Sequence, residues 1–189
     1  MRETSATPVV AALFCAALPA AAQQVPGDID LLGPPQKAET IDQAAIDRRR
    51  TMLQLHQGIG LGMFAVAAAN TVVGQLNYSD RFASGPSTGK YQVAHQVTAY
   101  STLALFATTG LLALFAPVPI PRPHGFDRTT AHKIAMGTAA AGMAAEAVLG
   151  IWTRNREGYL NQPDIAAAHL AIGYVTFAAI AVGVGTIVF

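Results

Sequence analysis

Four long apolar segments, at about Met52–Leu76, Tyr91–Phe115, Thr130–Trp152 and Ile165–Phe189, leave this chain few ways to fold. Each is long enough to cross a hydrocarbon layer of about 30 Å as a helix rising about 1.5 Å per residue. Inside such a layer the backbone must satisfy its own hydrogen bonds, which a helix does within one segment. Turn-forming sequences join them: Ser84-Gly85-Pro86-Ser87, the proline-rich stretch from Pro117 to Pro123, and Asn161-Gln162-Pro163-Asp164. Pro163 is placed to open the last helix, where its missing N–H costs nothing. Short connections make neighbouring helices antiparallel. The expected fold class is therefore an all-α membrane protein, an antiparallel up-down four-helix transmembrane bundle.

Composition points the same way. Of 189 residues, 52 % are hydrophobic and 12 % charged, where a soluble domain is about 25 % charged. A net charge of +1 leaves no basic footprint for nucleic acid. Membrane lipid is the expected surrounding. Runs such as Ala67-Ala68-Ala69 and Ala139-Ala140-Ala141-Gly142 allow close approach of helix backbones.

Residues 1–22 read as a signal peptide: Arg2 precedes an apolar stretch from Pro8, which ends in Ala20-Ala21-Ala22. Cys15, the single cysteine, lies inside it, so the mature chain is expected to have neither a disulfide nor a c-type haem attachment. Residues 23–50 form the extramembrane N-terminal segment, loose to about Ile41. From Glu39 the pattern turns helical and runs unbroken through Arg48-Arg49-Arg50 into the four-helix domain, 51–189.

Each apolar segment carries one histidine about a turn inside its start: His56, His95, His132 and His169. Helices one and three enter from one side, helices two and four from the other. His56 and His132 therefore share a depth near one face, and His95 and His169 share a depth near the opposite face. Parallel helices sit diagonally in a simple bundle, so a porphyrin between each pair is geometrically natural. Two axial imidazoles leave the iron no open position, which favours electron transfer over oxygen binding. The reading is two bis-histidine haem b groups, with the four histidines as metal ligands and no catalytic residue.

The chain also repeats. His132 follows His56 by 76 residues, and His169 follows His95 by 74. Helices one and three share a glycine 18 residues after the histidine (Gly74 and Gly150) and a polar residue 14 after it (Asn70 and Glu146). Helices two and four share a tyrosine, Tyr100 and Tyr174. Eighteen residues make five turns, so Gly74 and Gly150 point as His56 and His132 do, but at the opposite face, where a missing side chain makes room for the other cofactor. Asn70 and Glu146 lie close to that direction. A carboxylate at such depth is costly without a partner. Glu146 is open to several roles: hydrogen-bonding a ligand histidine, meeting a propionate, carrying a proton, or bonding Asn70 between helices. Arg49, Arg50 and Lys133 are candidates to offset propionates near His56 and His132, and Lys90 and Arg154 near the other pair. Lipid headgroup contact is the alternative for each. His124, in the proline-rich connection, reads as a surface residue.

These four helices, with one histidine each and paired first with third and second with fourth, resemble the cytochrome b561 family of transmembrane dihaem electron carriers over about Arg50–Phe189. The resemblance implies that His56 and His132 ligate one haem b, that His95 and His169 ligate the other, and that electrons cross the membrane. It is a resemblance of histidine topology. No substrate-binding motif accompanies it, so ascorbate chemistry is not implied. With short loops and no soluble cofactor domain, the chain reads as an electron carrier or oxidoreductase subunit rather than a stand-alone enzyme. The expected donor or acceptor is a quinol, a periplasmic cytochrome or an adjoining redox-complex subunit.

A cleaved signal in a bacterial inner membrane makes the N-terminal segment periplasmic. The basic residues point the other way. Lys37, Arg48, Arg49, Arg50, Arg122 and Arg128 would then lie outside, against Arg81, Lys90, Arg154 and Arg156 inside. Competing functions are a single-haem or haem-free anchor or structural subunit of a larger redox complex, and a divalent-metal carrier.

Overall fold

The computed structural model describes residues 42–83, 86–119 and 125–188. The signal peptide, Cys15, Lys37, Arg122 and His124 lie outside the described residues. Every regular element among those described is helical: α1 (Gln43–Phe82), α2 (Gln92–Leu114), α3 (Arg128–Asn155) and α4 (Gln162–Val188). All four are long and apolar enough to cross a membrane.

Local chemistry sets the ends. The Asp42 carboxylate accepts from the Ala45 backbone N–H at 3.0 Å, and Asp127 accepts from that of Thr130 at 2.7 Å. Both satisfy a donor that the first helical turn leaves orphaned. The three arginines 48–50 sit inside α1 without interrupting it, because arginine is a good helix former. At the other end α1 runs past Leu76, where the apolar pattern stops, as far as Phe82. Polarity ends an apolar span but does not by itself end a helix. The turn that follows is held by the Asp80 carboxylate, which accepts from the Thr88 hydroxyl at 2.6 Å and the Gly89 N–H at 2.7 Å. Gly89 has a φ of 68°, a left-handed conformation that favours glycine. Pro163 falls in the first turn of α4, beside Asp164, whose charge complements the helix dipole.

The helices pack α1 on α2, α3 on α4, and α1 on α4. At the centre Met63, Ala67, Ala139 and Ile180 are buried, and Phe64 stacks on Phe177 with centroids 5.6 Å apart. Many large apolar side chains face outward instead, among them Val72, Val97, Leu111, Ile134, Val148 and Val175. Lipid tails are as apolar as these side chains, so such faces are at home in a bilayer. Helix contact then depends on small residues. A Cβ on Gly60 would touch Thr109 at 3.4 Å, and one on Gly183 would lie 2.6 Å from the Met136 sulfur. Several hydroxyls within the helices are satisfied locally: Thr71, Thr102 and Thr109 each donate to the carbonyl four residues earlier, whereas those of Thr153 and Thr176 are buried without a partner.

Candidate functional site

The four histidines lie in two pairs. His56 of α1 and His132 of α3 have ring centroids 6.0 Å apart with planes at 79°. His95 of α2 and His169 of α4 have centroids 6.1 Å apart with planes at 64°. Each pair joins two helices that are not among the closely packed neighbours, so each imidazole reaches across the bundle.

In the first pair both rings are fixed by main-chain acceptors. Nδ1 of His56 lies 2.9 Å from the Thr109 carbonyl oxygen, and Nδ1 of His132 lies 2.8 Å from that of Gly183. A carbonyl only accepts, so each Nδ1 must carry the proton, which leaves Nε2 with its lone pair free. This is the state in which a histidine binds a metal, with its other nitrogen donating to a fixed acceptor. The two acceptors are equivalent by repeat: Thr109 and Gly183 each stand fourteen residues after the histidine of their own helix. Sequence reading missed both, since a carbonyl leaves no mark in side-chain identity.

The second pair is differently surrounded. Gly74 and Gly150 lie against it. A Cβ on Gly74 would be 3.2 Å from Cε1 of His95, and one on Gly150 would be 3.4 Å from Cε1 of His169. Glu146 places Oε2 3.2 Å from Nδ1 of His169, with both side chains about four-fifths buried. The pair is close but not aligned as a hydrogen bond, and Glu146 Oε1 and His95 Nδ1 are likewise buried without a partner. Gly173 clears the space: its Cβ would meet Glu146 Oε2 at 3.2 Å. Around these groups is a cavity of about 610 Å³, lined from all four helices. That volume is in the range of small-molecule and cofactor sites, about 300–1,000 Å³.

The remaining candidates are scattered. Asn70 lines the cavity and accepts from the Thr98 hydroxyl at 2.8 Å, so its partner is on α2 rather than Glu146. Arg154 lines the cavity, whereas Lys90 does not and instead lies 4.9 Å from the Tyr91 ring centre. Arg49 donates to the Pro117 carbonyl at 2.5 Å, joining the start of α1 to the end of α2. Arg50 and Lys133 are exposed. Tyr100 and Tyr174 both line the cavity, and the Tyr174 hydroxyl donates to Gln75 at 2.8 Å. Arg81 was not singled out from sequence, yet it lines the cavity, pairs with Glu157 at 2.6 Å and donates to Gln92 at 3.0 Å. The extra turns of α1 beyond Leu76 are what bring it there.

The geometry fits a metal held between each pair. Two imidazoles that each bind about 2 Å from a ring nitrogen have ring centres about 6 Å apart once the ring half-widths are added. That separation also suits plain aromatic contact. At His56 and His132 the bonds at Nδ1 leave Nε2 available for coordination. Among the described residues no group of three or more His, Cys, Asp or Glu side chains is placed to hold an ion. A bare cation would thus receive two protein ligands from a pair. No family model matches the chain, and neither a curated protein nor a solved structure matches it.

Proposed function

We propose that this chain is a transmembrane dihaem b-type electron carrier of the cytochrome b561 kind, with an up-down antiparallel bundle and one bis-histidine haem near each membrane face. The observation that carries the reading is the pairing of four histidines at 6.0 and 6.1 Å. His56 and His132 would hold one haem, and His95 and His169 the other. A haem held by each pair would supply a one-electron couple.

The chain's own residues do the rest. The Thr109 and Gly183 carbonyls hold two of the imidazoles in the binding tautomer. Gly74 and Gly150 keep the flanks of the second pair clear. Between the two histidine layers lie Met63, Ala67, Ala139, Ile180 and the Phe64–Phe177 stack, which make the middle of the bundle largely apolar. The layers are about 20–25 Å apart, judged from the residues that separate them along each helix. That apolar middle weighs against a divalent-metal carrier, which needs polar ligands along its path.

The N-terminal end of α1 is periplasmic in this reading, and a quinol, a periplasmic cytochrome or a neighbouring subunit exchanges electrons with one face. An absorption spectrum of the purified protein tests it. Sharp reduced-minus-oxidised bands of low-spin haem b, with two haems per chain, are expected. A colourless protein from cells amply supplied with haem overturns the reading in favour of a haem-free subunit.

A further inference from the structure

We propose that Glu146 sets the reduction potential of the His95–His169 centre, through the carboxylate oxygen that it places 3.2 Å from Nδ1 of His169. The inference rests on the dihaem reading above and goes beyond it, because it gives different surroundings to the two histidines of one pair, which the repeat makes equivalent.

Three observations converge on Glu146. Its Oε2 is 3.2 Å from Nδ1 of His169, the nitrogen left over if Nε2 is the ligand. Its other oxygen and His95 Nδ1 are buried with no partner, so nothing else competes for the carboxylate. Gly173 makes the space it occupies, since a side chain there would press on Oε2. The corresponding residue in the first half of the repeat, Asn70, is neutral and turned to Thr98 rather than to a histidine.

The chemistry follows from charge. A carboxylate beside Nδ1–H draws the proton toward itself and makes the imidazole a stronger donor to its metal. A stronger donor and a nearby negative charge both favour the oxidised iron, which carries one more positive charge, and so lower the potential. His56 and His132 donate to neutral carbonyls, which do this more weakly. Glu146 acts through His169 and is therefore a positioning and tuning residue.

The test is a potentiometric titration of the full-length protein, followed optically, for the natural chain and for Glu146→Gln. Glutamine keeps the length and an accepting oxygen but removes the charge. One of the two potentials is expected to rise by a tenfold or larger change in its reduction equilibrium, about 59 mV or more. The second potential should not move. Two unchanged potentials overturn the role of Glu146 while leaving the dihaem reading intact. If Glu146→Gln fails to retain the second haem, Glu146→Asp decides: the charge stays but retreats from Nδ1, and the same potential must rise, or the proposal fails. A natural protein without two haems overturns the reading beneath the proposal and the proposal with it.

Discussion

At the His56–His132 end, each ring is fastened to a main-chain carbonyl on a neighbouring helix. At the His95–His169 end neither Nδ1 has an aligned hydrogen-bond partner, and the rings border glycines, a carboxylate and a cavity. One end is specified by backbone and the other by side chains. Two hairpins of the same helix register place equivalent carbonyls alike, because these follow the backbone. Side chains are free to differ between the halves, and Asn70 stands in one where Glu146 stands in the other. The repeat equates the two histidines within each pair, so the His56–His132 end is near-symmetric, while Asn70 against Glu146 makes the His95–His169 end asymmetric.

The largest expected effect that separates the ends comes from filling the space at Gly74. Gly74→Leu would drive side-chain atoms into His95, so the chain should keep the His56–His132 haem and lose the other. Haem content per chain, measured beside protein concentration, reads this out as one instead of two. Overpacking of this kind also costs about 1–3 kcal/mol of stability. Retention of both haems would mean that the second pair is not the confined site described.

A finer contrast lies within that end. A Cβ at Gly74 would come 3.2 Å from its histidine, tighter than an ordinary contact, and one at Gly150 3.4 Å. Gly74→Ala should therefore weaken haem retention on heating more than Gly150→Ala does. The reverse order would break the assignment of Gly74 as the closer neighbour.

At the carbonyl-held end, the acceptor for His56 belongs to the backbone, so the Thr109 side chain should not matter to the centre. Thr109→Ala should leave both spectra and both potentials in place. It removes the hydroxyl bond to Leu105 and the buried methyl group beside Gly60, together worth about 1–2 kcal/mol in thermal unfolding. A displaced potential would show that the ring is held by something other than the carbonyl.

The smallest effect is expected at Arg81. Its ion pair joins the end of α1 to Glu157, whose side chain is 65 % exposed. Solvent and salt screen such a pair, so Arg81→Ala should cost less than about 1 kcal/mol, and less still at high ionic strength. A large loss would place Arg81 in the cavity's function rather than at its rim.

Much of the molecule is written in the order of its residues. Apolar run length places α2, α3 and α4 to within a few residues, whereas α1 extends beyond its apolar run at both ends, from Gln43 to Phe82. The depth of each histidine brings His56 to His132 and His95 to His169, and five-turn spacing brings Gly74 and Gly150 to the second pair. What sequence could not carry is of two kinds. Backbone acceptors such as those at Thr109 and Gly183 have no side-chain signature. Partner choice among polar groups depends on which helix is nearer: Asn70 faces α2 across the tightly packed α1–α2 contact, so it meets Thr98 before it can meet Glu146 on the diagonal helix. Arg81 is legible from sequence only as a loop charge, since an expected helix end at Leu76 puts it outside the bundle.

The pairing itself is the central claim, and haem content in four single variants tests it most directly. His56, His95, His132 and His169 are each replaced by alanine, and the haem that remains is characterised by spectrum and potential. His56→Ala and His132→Ala should leave the same residual haem, and His95→Ala and His169→Ala should leave the other. A variant set in which His56→Ala and His95→Ala leave the same residual haem, or in which no variant changes the haem content, would contradict the account.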